Sequence, residues 1–219
     1  MPVRGERLSA LALALALMGG SGCAEEPRTY STRGNDGTEI FRDEFEGSEL
    51  GSHWHPTAEG VVVEHGVVKV KELKNHPLWL DVALPDDVRI ELDVWAQDEE
   101  GDVKVELAGD GQSVATSVNY IASGYVLVFG GWNNTLHVIA RKNEHGRDRV
   151  TATEPTVTPG RRYHFAITRS GGDILWEVDG KELLSLEDPT PLRGPGHDRF
   201  ALSGWDAEAH FDNVVIEAL

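Results

Sequence analysis

The sequence predicts an all-β protein, a two-sheet antiparallel β-sandwich of the jelly-roll kind. Three observations predict it. From Glu39 onward the chain is a succession of short alternating runs, about a dozen, parted by Gly, Asp, Asn and Pro. No stretch repeats its apolar residues at a sustained helical period. Two-residue turn signals separate several of the runs. The sharpest is Asp179-Gly180 in "EVDGKEL", where a type I′ hairpin needs positive φ at both residues. Short antiparallel strands without helices bury their faces on one another in a sandwich or barrel, and this many favour two sheets.

The elements follow in order. "EIFRDEF" (39–45) alternates, with Ile40 and Phe45 pointing inward. "VVVE" and "VVKVKEL" (61–73) flank the two-residue turn His65-Gly66. "HPLWLDVAL" (76–84) and "VRIELDVWA" (88–96) are separated by "PDD". "VKVEL" (103–107), "SVATSVNYIA" (113–122), "YVLVF" (125–129) and "TLHVIAR" (135–141) supply the middle strands. "RYHFAITR" (162–169), "ILWEVDGKELLSL" (174–186), "RFALSG" (199–204) and "HFDNVVIEAL" (210–219) complete the set. Trp54, Trp95 and Trp176 are expected in the core.

The first 38 residues read differently. Arg4 and Arg7 precede the apolar "LSALALALALMGG", and small residues lead to Cys23, the layout of a secretory signal over residues 1–22. The apolar part is shorter than the ~20 residues that span a bilayer. Cys23 is the only cysteine, so it has no internal disulfide partner. Its position resembles a bacterial lipobox, with Gly20 where leucine is usual, which implies lipidation of Cys23. Ala24 and Glu25 do not resemble the aspartate signal for inner-membrane retention, so the outer membrane is the expected location. Residues 23–38 have no periodicity and read as a flexible tether, leaving 39–219 as one sandwich domain.

The net charge is −17, and residues 1–22 remove two arginines against one glutamate, so the remainder is more acidic still. Such a chain repels phosphate backbones, which excludes nucleic acid as a partner, and it meets a membrane only through its lipid.

Several stretches resemble the concanavalin A-like lectin/glucanase sandwich. "FRDEFEGSELGSHW" is similar to the first strand and loop of its laminin-G-like and glycoside-hydrolase-like members. "VVVEHGVVKV" resembles a hairpin of that superfamily, and "YHFAITRSGGDILWEVDGKELLSL" its strand-turn-strand ending in "vDGk". "FDNVVIEAL" resembles the closing strand, which returns beside the first. The likeness spans about residues 40–219 and implies the fold, while lectins, hydrolases and adhesive modules all share it.

Two enzyme branches can be tested on the residues. Laminarinase-type members carry "E-x-D-x-x-E" or "E-x-D-x-E" on one strand, where alternation sets alternate carboxylates on one face. A retaining pair needs ~5–5.5 Å between carboxyls. "IELDVWAQ" offers Glu91 and Asp93, but Trp95 and Ala96 occupy the acid/base positions. Keto-disaccharide hydrolase-like domains resemble the layout more closely, through "GDVKVEL" and "GYVLVFGG". There Tyr125 is kept and the polar partners are Val126 and Val128. A diverged glycoside hydrolase would retain Glu91 and Asp93, or Glu106, as its carboxylates.

A binding site is the stronger expectation. Sugar sites join an aromatic face to amides that bond hydroxyls in two directions. "GGWNN" brings Trp132, Asn133 and Asn134 together directly after Tyr125–Phe129. Asn-Asn is also ordinary turn chemistry. Trp79, flanked by Asn75 and His76, and Trp205 with Asp206 offer further platforms. A lectin-like site on the concave sheet or loop rim is thus expected from Tyr125, Trp132, Asn133, Asn134, Trp79 and His76. An envelope protein partner is the third reading. No cofactor is indicated. Relatives of this fold often bind a structural calcium between first and last strands, and the resemblance implies Asp43, Glu44, Glu46 and Asp212 as its oxygen donors. His53 and His55 lack a third ligand at zinc-like spacing, and "DEEGD" (98–102) reads as a solvated loop.

Overall fold

The computed structural model describes residues 37–117 and 120–219. The signal, Cys23 and nearly all of the tether lie outside them. Fifteen strands form among the described residues. The first seven are β1 (Thr38–Asp43), β2 (Trp54–Pro56), β3 (Val61–Val63), β4 (Val68–Val70), β5 (Leu78–Leu80), β6 (Val88–Ala96) and β7 (Val103–Gly109). The next four are β8 (Tyr125–Gly130), β9 (Leu136–Arg141), β10 (Val150–Ala152) and β11 (Tyr163–Ser170). The last four are β12 (Asp173–Val178), β13 (Lys181–Glu187), β14 (Arg199–Gly204) and β15 (Ala209–Ala218).

They make two antiparallel sheets packed as a sandwich. The first runs β13-β12-β11-β6-β15-β4-β3, with β1 also pairing β15; the second runs β10-β9-β8-β7-β14-β5-β2. β1 lies against β15 from Thr38 opposite Ala218 to Asp43 opposite Val214, as the resemblance implies. His65-Gly66 and Asp179-Gly180 all have positive φ, as two-residue hairpin turns require.

Alternation explains the first sheet. On β6, Val88, Ile90, Leu92, Val94 and Ala96 are buried, while Arg89, Glu91, Asp93 and Trp95 are only partly buried, on the outer face. Trp95 therefore leaves the core and lies under the Arg162 guanidinium, 4.5 Å from the ring centre. Between the sheets, Phe129 meets Tyr163, Phe165 and Trp176 edge-on at 5.0, 5.2 and 6.0 Å. These contacts tie the second sheet to the first.

The second sheet is covered on both faces. Strands β7 and β8 are buried at every position. Their inner residues Val105, Leu107, Leu127 and Phe129 join the main core. On the outer face Val126, Val128, Val138 and Ala140 form a separate cluster with Tyr120 and Ala122.

That cluster corrects one sequence expectation. No strand forms among the described residues 113–117 and 120–122; instead Tyr120 and Ala122 roof the second sheet. Asp110 explains the change, because its carboxylate accepts the Gln112 and Ser113 N–H groups at 3.0 and 2.8 Å and takes them from any ladder. The expected strand 76–84 likewise shortens to Leu78–Leu80, following Lys74 and Asn75 with positive φ.

Truncating Phe129 removes the ring that joins three aromatics of the facing sheet. Phe129→Ala is expected to lower unfolding free energy by about 3–5 kcal/mol, read from urea unfolding. A loss below about 1 kcal/mol would show that the sheets are held elsewhere.

Candidate functional site

The site starts at the β8–β9 connection. Gly130 has φ +71, and a Cβ there would stand 2.6 Å from Val157 Cγ2. Trp132, Asn133 and Asn134 follow at φ 53, 57 and 59, a left-handed turn. For a bulky side chain this conformation is strained. Two sets of contacts hold it. Asn134 donates to the Val157 carbonyl at 2.7 Å and accepts the Val157 N–H at 2.9 Å. His137 stacks on Phe129 at 4.7 Å and its Nδ1 accepts the Gly130 N–H at 3.1 Å. Its Nε2 donates to the Pro155 carbonyl at 2.8 Å, and burial lowers its pKa, so it stands neutral.

Trp132 is consequently displayed rather than folded into the main core. It is half-buried beside Leu136, with His145 edge-on at 5.4 Å and the Arg149 guanidinium over its ring at 4.8 Å. It lines a cleft of about 300 Å³. Trp205 and Asp206, from the loop after β14, line the same cleft. Asn133 and His145 are exposed at its rim.

Lys104 forms the floor. It points to the outer face of β7, yet its side chain is only 4% exposed. Its ammonium lies 3.1 Å from Asn75 Oδ1, 3.0 Å from Glu144 Oε2 and 3.6 Å from Asp102 Oδ1. The Trp205 ring centre is 5.9 Å away. Burial pushes the Asp102 carboxyl above its ordinary value, Lys104 opposes the shift, and Glu144 adds to it. The cleft thus pairs two indoles with buried charge and exposed amide, a setting that can stack on a ring and bond its polar edge.

The predicted residues separate. Trp132 and Asn133 are in the cleft, together with Trp205 and Asp206. Asn134 is occupied as a backbone clamp. Tyr125 is 1% exposed and points inward, donating from its hydroxyl to Asp188 at 2.7 Å and accepting the Leu192 N–H at 3.0 Å. Trp79 is also 1% exposed: its ring lies against Gly109 and it donates to the Ser113 carbonyl at 3.1 Å. His76 is half-buried against the Leu73 carbonyl at 2.9 Å and is outside the cleft lining. These three are therefore not gathered with Trp132.

The candidate carboxylates are dispersed. Glu91 and Asp93 lie on the outer face of the first sheet, across the sandwich from the cleft. Glu91 bonds Arg89 at 2.8 Å, and Asp93 bonds His164 at 3.0 Å and Asn213 at 2.9 Å. Glu106 is on the cleft-side face but is 1% exposed, with the Tyr120 hydroxyl donating to it at 3.2 Å. The calcium donors do not converge either. Asp43 is taken by the Phe45 N–H and the Trp54 indole at 2.8 and 2.9 Å, Glu44 faces Arg42 at 3.6 Å, and Asp212 bonds Arg162 at 2.9 Å. Among the described residues no three His, Cys, Asp or Glu side chains gather as a metal cluster.

Lys104, Asp102 and Glu144 were missed by sequence reading. Lysine at an outer position of a central strand was the available signal, since such a group needs partners. "DEEGD" concealed Asp102, which is not a solvated residue but a wall of the cleft.

The fold is that of the concanavalin A-like lectin/glucanase jelly rolls. A prokaryotic β-1,3-1,4-glucanase (lichenase) from a mouse hindgut metagenome superposes with a TM-score of 0.62 at 12% identity, covering 83% of this chain and 100% of that one. The carbohydrate-binding module CBM66 of Bacillus subtilis gives 0.59 at 15% identity, covering 76% and 96%. The β-glucanase of Bacillus licheniformis gives 0.56 at 12%, covering 84% and 100%. No protein-family model and no curated protein matches the chain in sequence.

Glu106 makes stability depend on pH. Burial raises its pKa from 4.5 to about 8. The folded chain keeps this proton where the unfolded chain has lost it, so stability falls as pH rises from about 4.5 to about 8. Glu106→Gln is expected to remove a few kcal/mol of that decline, measured as urea midpoints at both ends of the window. Equal pH slopes for the variant and the parent would contradict it.

Proposed function

We propose that this protein is an exported, lipid-anchored protein of the bacterial envelope, placed at the outer membrane, whose jelly-roll domain binds a carbohydrate without cleaving it. The observation that carries the binding role is the cleft between Trp132 and Trp205, floored by Lys104, Asn75 and Glu144. Its volume is at the lower end of the ~300–1,000 Å³ usual for ligand sites, which suits one or two sugar units. A carbohydrate-binding module and glucanases among the structures of like fold support the ligand class. The non-catalytic role is supported by Glu91 and Asp93, which lie on the far sheet, and by Glu106, which is sealed beneath Tyr120. The anchor is supported by the signal-like residues 1–22 ahead of the lone Cys23.

One observation favours a protein partner instead. The centre of the outer face of the second sheet is roofed by Tyr120 and Ala122, with Ile121 55% exposed on the roof.

A soluble chain starting at residue 37 should bind a subset of a broad glycan array and release no sugar from it. Trp205→Ala is expected to weaken that binding at least about ten-fold while retaining the melting temperature. Absence of binding to any glycan would move the assignment to the protein partner. In cells, the full chain should incorporate labelled palmitate, and Cys23→Ser should not; label retained by the variant would remove the anchor.

A further inference from the structure

The walls of the cleft are unequal in charge. Glu100, Asp102, Glu144 and Asp206 line it, against a single ammonium, Lys104. That ammonium faces Asn75, Glu144 and Asp102, and it is buried, so it is not presented to an incoming anion. Asp102 Oδ1 is buried and accepts no hydrogen bond among the described residues. Two further cations stand outside the lining: Lys74, 3.6 Å from Asp206, and Arg149 on the Trp132 ring. They offset part of the charge without entering the cleft. The unmet demand is for a donor that also brings positive charge, set between two indoles.

We propose that the cleft selects a saccharide bearing a free amine, such as a de-N-acetylated hexosamine unit, over neutral and anionic sugars. This rests on the carbohydrate reading above and adds the charge class of the ligand. A sugar hydroxyl can donate to a carboxylate but leaves the wall's charge uncompensated. An ammonium donates, compensates charge, and is attracted to an indole face. A uronic acid would meet four carboxylates in the lining, where the one ammonium, Lys104, is already paired.

The test is titration calorimetry on the purified full chain in detergent micelles at low ionic strength. The probes are a glucosamine trimer, its fully N-acetylated counterpart, a uronic acid trisaccharide and a lysine tripeptide. The amine trimer is expected to bind at least about ten-fold more tightly than the acetylated one. Glu100→Gln combined with Asp206→Asn, both at exposed positions, should reduce that preference about two- to ten-fold, read as the ratio of the two trimers' affinities. Equal or tighter binding of the acetylated or uronic trimer would overturn the inference while leaving carbohydrate binding intact. Lysine peptide binding as tight as the amine trimer would overturn the saccharide part. Silence of all four probes, with an empty glycan array, would remove the carbohydrate reading itself.

Discussion

A lysine ammonium cannot be buried in the middle of a sheet without partners, because desolvation costs several kcal/mol unless charge and hydrogen bonds return it. Lys104 is in that position on β7, between β8 and β14. One partner, Asp102, stands just before β7; the other two arrive from elsewhere in the chain, Asn75 before β5 and Glu144 after β9. The backbone follows them. Asn75 also takes its N–H to the Gly204 carbonyl and gives its carbonyl to the Ala115 N–H, so the loop after β14 and the roof segment meet at the same point. The cleft is the space those loops leave around one charge.

A second constraint is backbone geometry at the β8–β9 turn. A tryptophan in the left-handed region costs energy that a glycine would not. Here the cost is offset by the Asn134 clamp on Val157 and by neutral His137 beneath Gly130. The effect is to hold Trp132 out over the Lys104 cluster. An aromatic fixed by such strain loses little freedom when it meets a ligand. Sequence composition read the same residues either as turn chemistry or as a sugar platform. Both readings hold, divided among the residues: Asn134 makes the turn, and Trp132 with Asn133 faces the cleft.

The roof over the second sheet determines which chemistry that face can offer. Tyr120 and Ala122 pack on Val126, Val128, Val138 and Ala140, an apolar strip running where a long open groove would otherwise lie. Val126 and Val128 are the base of that small core. The same packing removes Trp79 and Glu106 from solvent and confines access to the Trp132–Trp205 end.

Local chemistry settles much of this protein. Alternating runs, Asp-Gly and His-Gly turns, and the lack of helical period require paired strands with one face inward, because period-two side chains have no other way to leave water. The sandwich, the hairpins and the apolar inner faces were legible on those grounds, as was the aromatic at Trp132. Which of a strand's two faces stays open was not. Trp79 lies on the outer face of its strand and is buried by the chain around Ser113, whereas Tyr125 faces inward with Leu127 and Phe129, and its hydroxyl is met by Asp188 and Leu192. Of the partners of Lys104, Asp102 is two residues away, but Asn75 and Glu144 are 29 and 40 residues away along the chain, and no spacing rule joins those to it. Strand pairing brings them together, and the buried charge holds them there.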